Sequence, residues 1–303
     1  LTSLLLALKG RLHGLIRRMS DEDLRVTLQF ALVAAVILPL LPDRAIDPLG
    51  LLNPFQIWLM VVLVSGIGFS GYVLMNVLGP SHGINLTGVL GGLASSTATT
   101  ISFSSASREN PAMSSYYARA LILASSMMIP RVLLLVLVIH PPLLCVVSIP
   151  LATMLVSGLG ITFFLRRKNT TSTSDLEYPV RLTHPLKLST AIKFGLIFAV
   201  VFIVLEFAQE AFGSVGVYFA SATAGLVNMN AVALSVGQMV SQAQLDIQVA
   251  GMAIVIAALM NTISKVTIVC FTGSSELRQS VIRSFVVIFL VGLLSGIFVF
   301  WLG

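Results

Sequence analysis

Two basic residues stand where a base is expensive. Arg131 lies inside the apolar run Tyr116–Ile139, and Lys265 lies inside Ile247–Cys270. A charged base at such depth costs about 2.5–3.5 kcal/mol on insertion scales, so each needs an anion, carbonyls or water. Pro130 removes the helix N–H beside Arg131 and can leave a carbonyl free there. Acids are scarce: Glu206 and Glu210 alone fall within an apolar run, near its end. A buried ion pair or a snorkelling side chain is the structural alternative. An anionic solute or fixed carbonyl dipoles would otherwise supply the balance.

Two further segments are small and polar where their neighbours are greasy. Ile84–Ala106 carries Gly91, Gly92, Ser95, Ser96, Thr97, Thr99 and Thr100, and Val217–Gln238 carries Ser221, Thr223, Gly225, Asn228 and Asn230. Adjacent glycines can break a helix, because glycine lacks the Cβ that restricts the backbone. Hydroxyls, amides and freed backbone groups at mid-depth can hold a solute. Gly88 and Gly92 also form a GxxxG pair, which by itself points to close helix packing. The candidate binding residues are Gly91, Gly92, Ser95, Ser96, Thr97, Thr99, Asn228, Asn230, Arg131 and Lys265.

Other chemistry is poorly represented. The four histidines lie at the ends of apolar runs or between them, without metal or paired-carboxylate spacing. Gly68-Phe69-Ser70-Gly71 matches a GxSG pattern, yet no histidine lies inside another span to act as its base, so packing is the better reading. No glycine-rich phosphate loop is present. Cys145 and Cys270 sit in apolar runs without motif spacing and read as buried structural thiols. No enzyme activity, cofactor or nucleic-acid partner is expected, and the net charge of +6 reads as loop bases facing anionic lipid.

The elements that position these residues are membrane helices. Of 303 residues 56% are hydrophobic and 10% charged, against roughly a quarter charged in soluble domains. Seven apolar runs recur: Leu24–Leu41, Phe55–Leu78, Tyr116–Ile139, Leu143–Leu165, Ala191–Phe212, Ile247–Cys270 and Ser284–Leu302. Most reach the roughly 20 residues that a spanning helix needs. Unbroken runs of this length exclude the short alternating strands of a barrel. The expected fold is an all-α polytopic membrane protein, a bacterial or archaeal cytoplasmic-membrane protein in contact with the bilayer.

An internal duplication organises the chain. The order apolar, small-polar, apolar with a deep base, apolar occurs at 55–165 and again at 191–302. This gives a lead-in and first span at 1–53, a repeat at 54–165, a basic loop at 166–190 and a second repeat at 191–303. Leu1–Leu8 reads as the tail of a helix begun earlier, ahead of the charged stretch Lys9–Arg25. If all nine segments cross, the loop bases divide almost evenly, against the positive-inside rule. If the two polar segments enter and leave on one side, the repeats become inverted. Of the 18 Lys and Arg, Arg131 and Lys265 lie within spans, Arg44 falls outside, and the other fifteen fall inside. A parallel arrangement, with Leu24–Leu41 not crossing, separates charge nearly as well. The hydroxyl-rich character of Ile84–Ala106 favours inversion, because irregular backbone at depth needs protein or a water cavity around it.

The runs LHGLIRRMSDEDLRVTLQFALVAAVILPLLPDR, NPFQIWLMVVLVSGIGFSGYV and LTGVLGGLASSTATT resemble the uncharacterised C-terminal membrane domain of long MgtC/SapB-type proteins. The resemblance covers nearly the whole chain. It implies an upstream MgtC-like domain and a link to magnesium or other metal-ion homeostasis. Members of that family carry Asp-x-Asp where this chain has Asn228-Met229-Asn230, which removes two charges that could hold a cation. The expected function is a transporter or channel for a small ion or solute, by a narrow margin a metal ion. An anion or neutral-solute transporter and a non-transporting regulatory subunit are the alternatives. A homodimer is a further expectation.

Overall fold

The computed structural model describes residues 21–47, 52–78, 83–168 and 188–302, and those residues form helices joined by short connections. The expected basic loop falls mostly at 169–187, outside the described residues, as does most of Lys9–Arg25. Helix α1 (Asp21–Ala31) continues through a π-helical stretch, Leu32–Ile37, into a last turn, Leu38–Leu40. Pro39 cannot donate to the helix ladder, and the ladder just before it widens. Helix α2 (Pro54–Leu78) starts on a proline, and the Asn53 side chain accepts from the Gln56 amide at 3.2 Å, closing one orphan donor. Then come α3 (Gly83–Glu109), α4 (Ser114–Ser126), α5 (Met128–Ile139) and α6 (Pro141–Lys168). The second half of the chain forms α7 (Leu188–Val227), α8 (Met229–Ser241), α9 (Ile247–Thr272) and α10 (Ser275–Leu302).

Seven stretches are long and apolar enough to cross a bilayer: Asp23–Leu40, Pro54–Val77, Pro111–Ile139, Pro141–Leu165, Leu188–Val227, Ile247–Thr272 and Ser275–Trp301. Their outer faces carry large apolar side chains such as Leu40, Phe164, Leu196, Phe219, Phe271 and Trp301, all more than 60% exposed. Apolar surface on that scale suits lipid and not water. The chain is an integral membrane protein with an all-helical fold.

Polar contacts fix the helix ends. At one end the Asp23 carboxylate accepts from Tyr72 and Asn76, Ser107 accepts from the Ser274 amide, and Ser114 shares a 2.7 Å hydrogen bond with Ser274. At the opposite end Ser241 donates to the Ile139 carbonyl at 3.3 Å, and Gln244 donates to Glu206 at 2.9 Å. The span from Pro111 therefore starts at the first end and finishes beside Ser241 at the second. Helix α9 runs the other way. Asp246, at the second end, caps it by accepting from the Gln248 and Val249 amides, and it finishes beside Arg108 and Ser107.

Several expectations need correction. The run Tyr116–Ile139 is not one helix but two, α4 and α5, divided at Met127. The last span begins at Ser275 and not at Ser284. Cys145 is exposed on the lipid-facing side and Cys270 is half-buried, so neither is the fully buried thiol expected. An apolar run does not say which helix face points inward, and Cys145 lies on the outer one. Arg119 is not a flanking base: it is buried in α4, with its guanidinium 4.8 Å from the Tyr116 ring centroid.

Candidate functional site

Both small-polar segments are broken helices. In α3 the backbone leaves the helix at Ser95, with φ −162° and ψ 96°. Between α7 and α8 it does so at Asn228, with φ −159° and ψ 101°. At each break the side chain caps the helix that follows. Ser95 Oγ accepts from the Ala98 amide at 3.3 Å, and Asn228 Oδ1 accepts from the Asn230 and Ala231 amides at 3.0 and 3.4 Å. A short polar side chain that bonds to the backbone competes with an unbroken helix at its own position, so Ser and Asn belong at such sites.

Glycines seat each break against the span behind it. A Cβ on Gly88 would come within 2.5 Å of the Ala120 carbonyl oxygen, and one on Gly92 within 2.5 Å of Ala124 Cα. The two contacts advance in step, so 83–94 and α4 run in the same direction. Residues 96–109 then run back: Phe103 packs on Tyr117, with ring centroids 5.9 Å apart, and Ser107 reaches the end where α4 begins. Ala124 lies ten residues into α4, about 15 Å along it, so the chain reverses near the middle of a roughly 30 Å bilayer core. On the other half, Gly225 lies against Ala257, ten residues into α9. Upstream, Gly213 has φ +59°, which favours glycine, and the turn there is sharp enough to pack Gly216 against the Ala208 carbonyl.

Arg131 and Asn261 bind the carbonyls that the breaks release. Arg131 Nη1 donates to the Leu93 and Ala94 carbonyls at 3.2 and 3.4 Å, and Nη2 donates to the Val64 carbonyl at 3.0 Å. Asn261 Nδ2 donates to the Gly225 carbonyl at 3.1 Å. Each of these two side chains therefore closes the carbonyl end of the half-helix that leads into a break. Gly68 and Gly71 on α2 pack against Ala94, and Ser70 bonds to the Gly66 carbonyl within its own helix. The GxSG pattern thus takes part in helix packing.

The two breaks share one cavity of about 460 Å³. Of the expected binding residues, Gly92, Ser95, Ser96, Thr97, Asn228, Asn230 and Arg131 lie on its wall. Gly91 and Thr99 are buried in the packing behind it. Lys265 is placed differently: it is 1% exposed, lines a separate void of about 20 Å³, and its Nζ lies 3.5 Å from Met128 Sδ. Met128 also lines the main cavity, so Lys265 stands one side chain behind the wall and does not mirror Arg131. Glu206 is bonded to Gln244 near the second end of the bundle. Sequence reasoning passed over Asn261, Ser65 and Gln29, all on the wall. Asn261 had a legible signal, since it is a polar side chain one helical turn before Lys265 in an apolar run.

Among the described residues the cavity wall contains no Asp, Glu, His or Cys, and no cluster of three or more of those residues occurs. Its polar groups are hydroxyls, amides, helix ends and one guanidinium. An uncharacterized protein of Aquifex aeolicus (strain VF5) is 26% identical over 193 residues, covering 64% of this chain and 84% of that protein. No solved structure matches the chain. A family model described as a domain of unknown function, DUF4010, matches residues 62–273, about seven tenths of the chain, which therefore belongs to that family.

Proposed function

We propose that this protein is a transporter or channel for a small ion or solute, built from two inverted repeats whose re-entrant hairpins meet at the central cavity. The observation that carries the reading is one mid-depth cavity bounded by both breaks. The repeat is supported by three pairs at one constant separation along the chain: Gly92 with Gly225, Ser95 with Asn228, and Ala124 with Ala257. Inversion is supported by the opposite directions of the Pro111–Ile139 and Ile247–Thr272 spans. Discontinuous helices from two pseudo-symmetric halves are a recurrent way to hold a solute at the midplane. The cavity reaches Leu188 and Thr190 in the first turn of α7, which gives a route from the end rich in Lys and Arg. The resemblance to MgtC/SapB-type proteins adds an upstream MgtC-like domain to the proposal. It also adds a metal ion as cargo, for which the described residues of the wall offer neutral oxygens.

Flux into proteoliposomes tests this reading, with a panel of labelled cations, anions and small neutral solutes. Thr97 is exposed on the cavity wall, so Thr97→Trp fills the space without burying a charge. The expected result is flux of one panel member through the parent protein and its loss in a folded Thr97→Trp variant. A parent that moves no panel member would favour a regulatory membrane subunit instead.

A further inference from the structure

We infer that the cavity binds a small anion, an oxyanion or a carboxylate. This inference rests on the transport reading for its biological sense, but its chemistry stands on the wall alone. Each break presents two helix ends of opposite polarity: the carbonyl end of the half-helix that enters and the amide end of the one that leaves. The carbonyl ends are already engaged by Arg131 at Leu93 and Ala94 and by Asn261 at Gly225. The amide ends lie on the wall at Ser95–Ala98 and Asn228–Asn230. There the Ser95 side chain already takes the Ala98 amide and the Asn228 side chain those of Asn230 and Ala231, so what each offers an occupant is its partial positive charge. Helix amide ends carry partial positive charge and favour anions.

Three observations independent of the helix ends point the same way. Arg131 brings a full positive charge to the wall, with carbonyls as its hydrogen-bond partners and no carboxylate among the described wall residues. Its Nε–H has no partner. Ser96, 9% exposed and on the wall, has an Oγ with no hydrogen-bond partner. Buried polar groups are rarely left unpaired, and these two atoms, closed to solvent as they stand, lie on residues of the wall and reach an occupant by a side-chain rotation. Asn261 Oδ1 is also unpartnered, an acceptor suited to a hydroxyl or ammonium on the same ligand. A bare divalent cation would meet the Arg131 charge here, with no carboxylate among the described wall residues to offset it. The depth of the site favours a free solute over a lipid headgroup held at the bilayer surface.

Equilibrium binding to the purified full chain in detergent tests the inference, with labelled phosphate, sulfate and acetate as probes and magnesium chloride against matched sodium chloride. The expected result is saturable binding of at least one anion. Ser96→Ala should weaken it by about tenfold, equivalent to about 1.4 kcal/mol, and Thr97→Asp, which puts a carboxylate on the wall, should abolish it. Folding of both variants is checked by thermal melting, and Ala45→Asp, which puts a carboxylate on an exposed residue off the wall, supplies the control that should retain binding. The inference is overturned if none of the three anions binds, or if the parent binds magnesium and Thr97→Asp tightens it. A signal seen with added anionic lipid alone also overturns it, in favour of a headgroup. Flux of a neutral solute without anion binding would sink the anion and keep the transporter. Anion binding without any flux would do the reverse.

Discussion

Arg131 and Lys265 look equivalent as letters, yet their surroundings give them opposite roles. Arg131 spreads its fork over carbonyls of α2 and α3, so the guanidinium ties the broken helix to its neighbour. Lys265 rests against a thioether in a void of about 20 Å³. Each buried acceptor left without its donor costs about 1–3 kcal/mol, whereas an apolar group of similar volume in place of a poorly compensated buried charge removes the cost of burying that charge. Thermal melting in detergent should therefore show a large drop for Arg131→Met and an unchanged or raised midpoint for Lys265→Met. A strong loss of stability in Lys265→Met would mean that its charge has a partner such as buried water. Unchanged stability with lost flux would assign the lysine to transport.

At the scale of elements, two helices are interrupted and two small residues hold each interruption in place. Gly92 and Gly225 lie so close to Ala124 and Ala257 that any Cβ must push backbone aside. Overpacking of this kind costs about 1–3 kcal/mol. Gly92→Val and Gly225→Val should each lower the melting midpoint and weaken anion binding, because the capping residue three positions on moves with the glycine. Gly160→Val, where nothing lies within 4 Å of an added Cβ, should leave both unchanged; equal damage at all three sites would rule out close packing as the cause. The segments themselves were legible because glycine and hydroxyl content set them apart from lipid-facing runs. Of the ten candidate residues, six from those segments and Arg131, legible as a base inside an apolar run, reached the cavity wall. Gly91, Thr99 and Lys265 did not, because a composition signal marks a segment and not the face of a helix that turns inward. The break at Met127 carried no signal except Pro130, whose missing N–H lies a few residues on.

At the scale of the whole molecule, the proposed repeats run in opposite directions, as the Pro111–Ile139 and Ile247–Thr272 spans do. The loop after the first break, near Ala112, sits with Ser275 at one end of the bundle, and the loop after the second, near Gln242, sits at the other. The rival parallel arrangement had nearly the same charge separation, so bases alone could not choose between them in the sequence. The contacts that distinguish them join residues more than a hundred positions apart, such as Ser114 with Ser274 and Ser241 with Ile139, and local pattern does not encode such pairs. Arg108, Arg278 and Arg283 lie on the Ala112 side and Arg44 lies opposite, so the positive-inside rule predicts that Ala112 faces the cytoplasm. Single cysteines report this in intact cells, after Cys145 and Cys270 are changed to alanine. Ala112, Ser275, Ala45 and Gln242 are all exposed, so each cysteine can react. A membrane-impermeant maleimide should label Ala45→Cys and Gln242→Cys from outside, and Ala112→Cys and Ser275→Cys after permeabilisation alone. Labelling of Ala112→Cys and Gln242→Cys from the same side would make the repeats parallel and remove the inverted-repeat basis of the proposed mechanism.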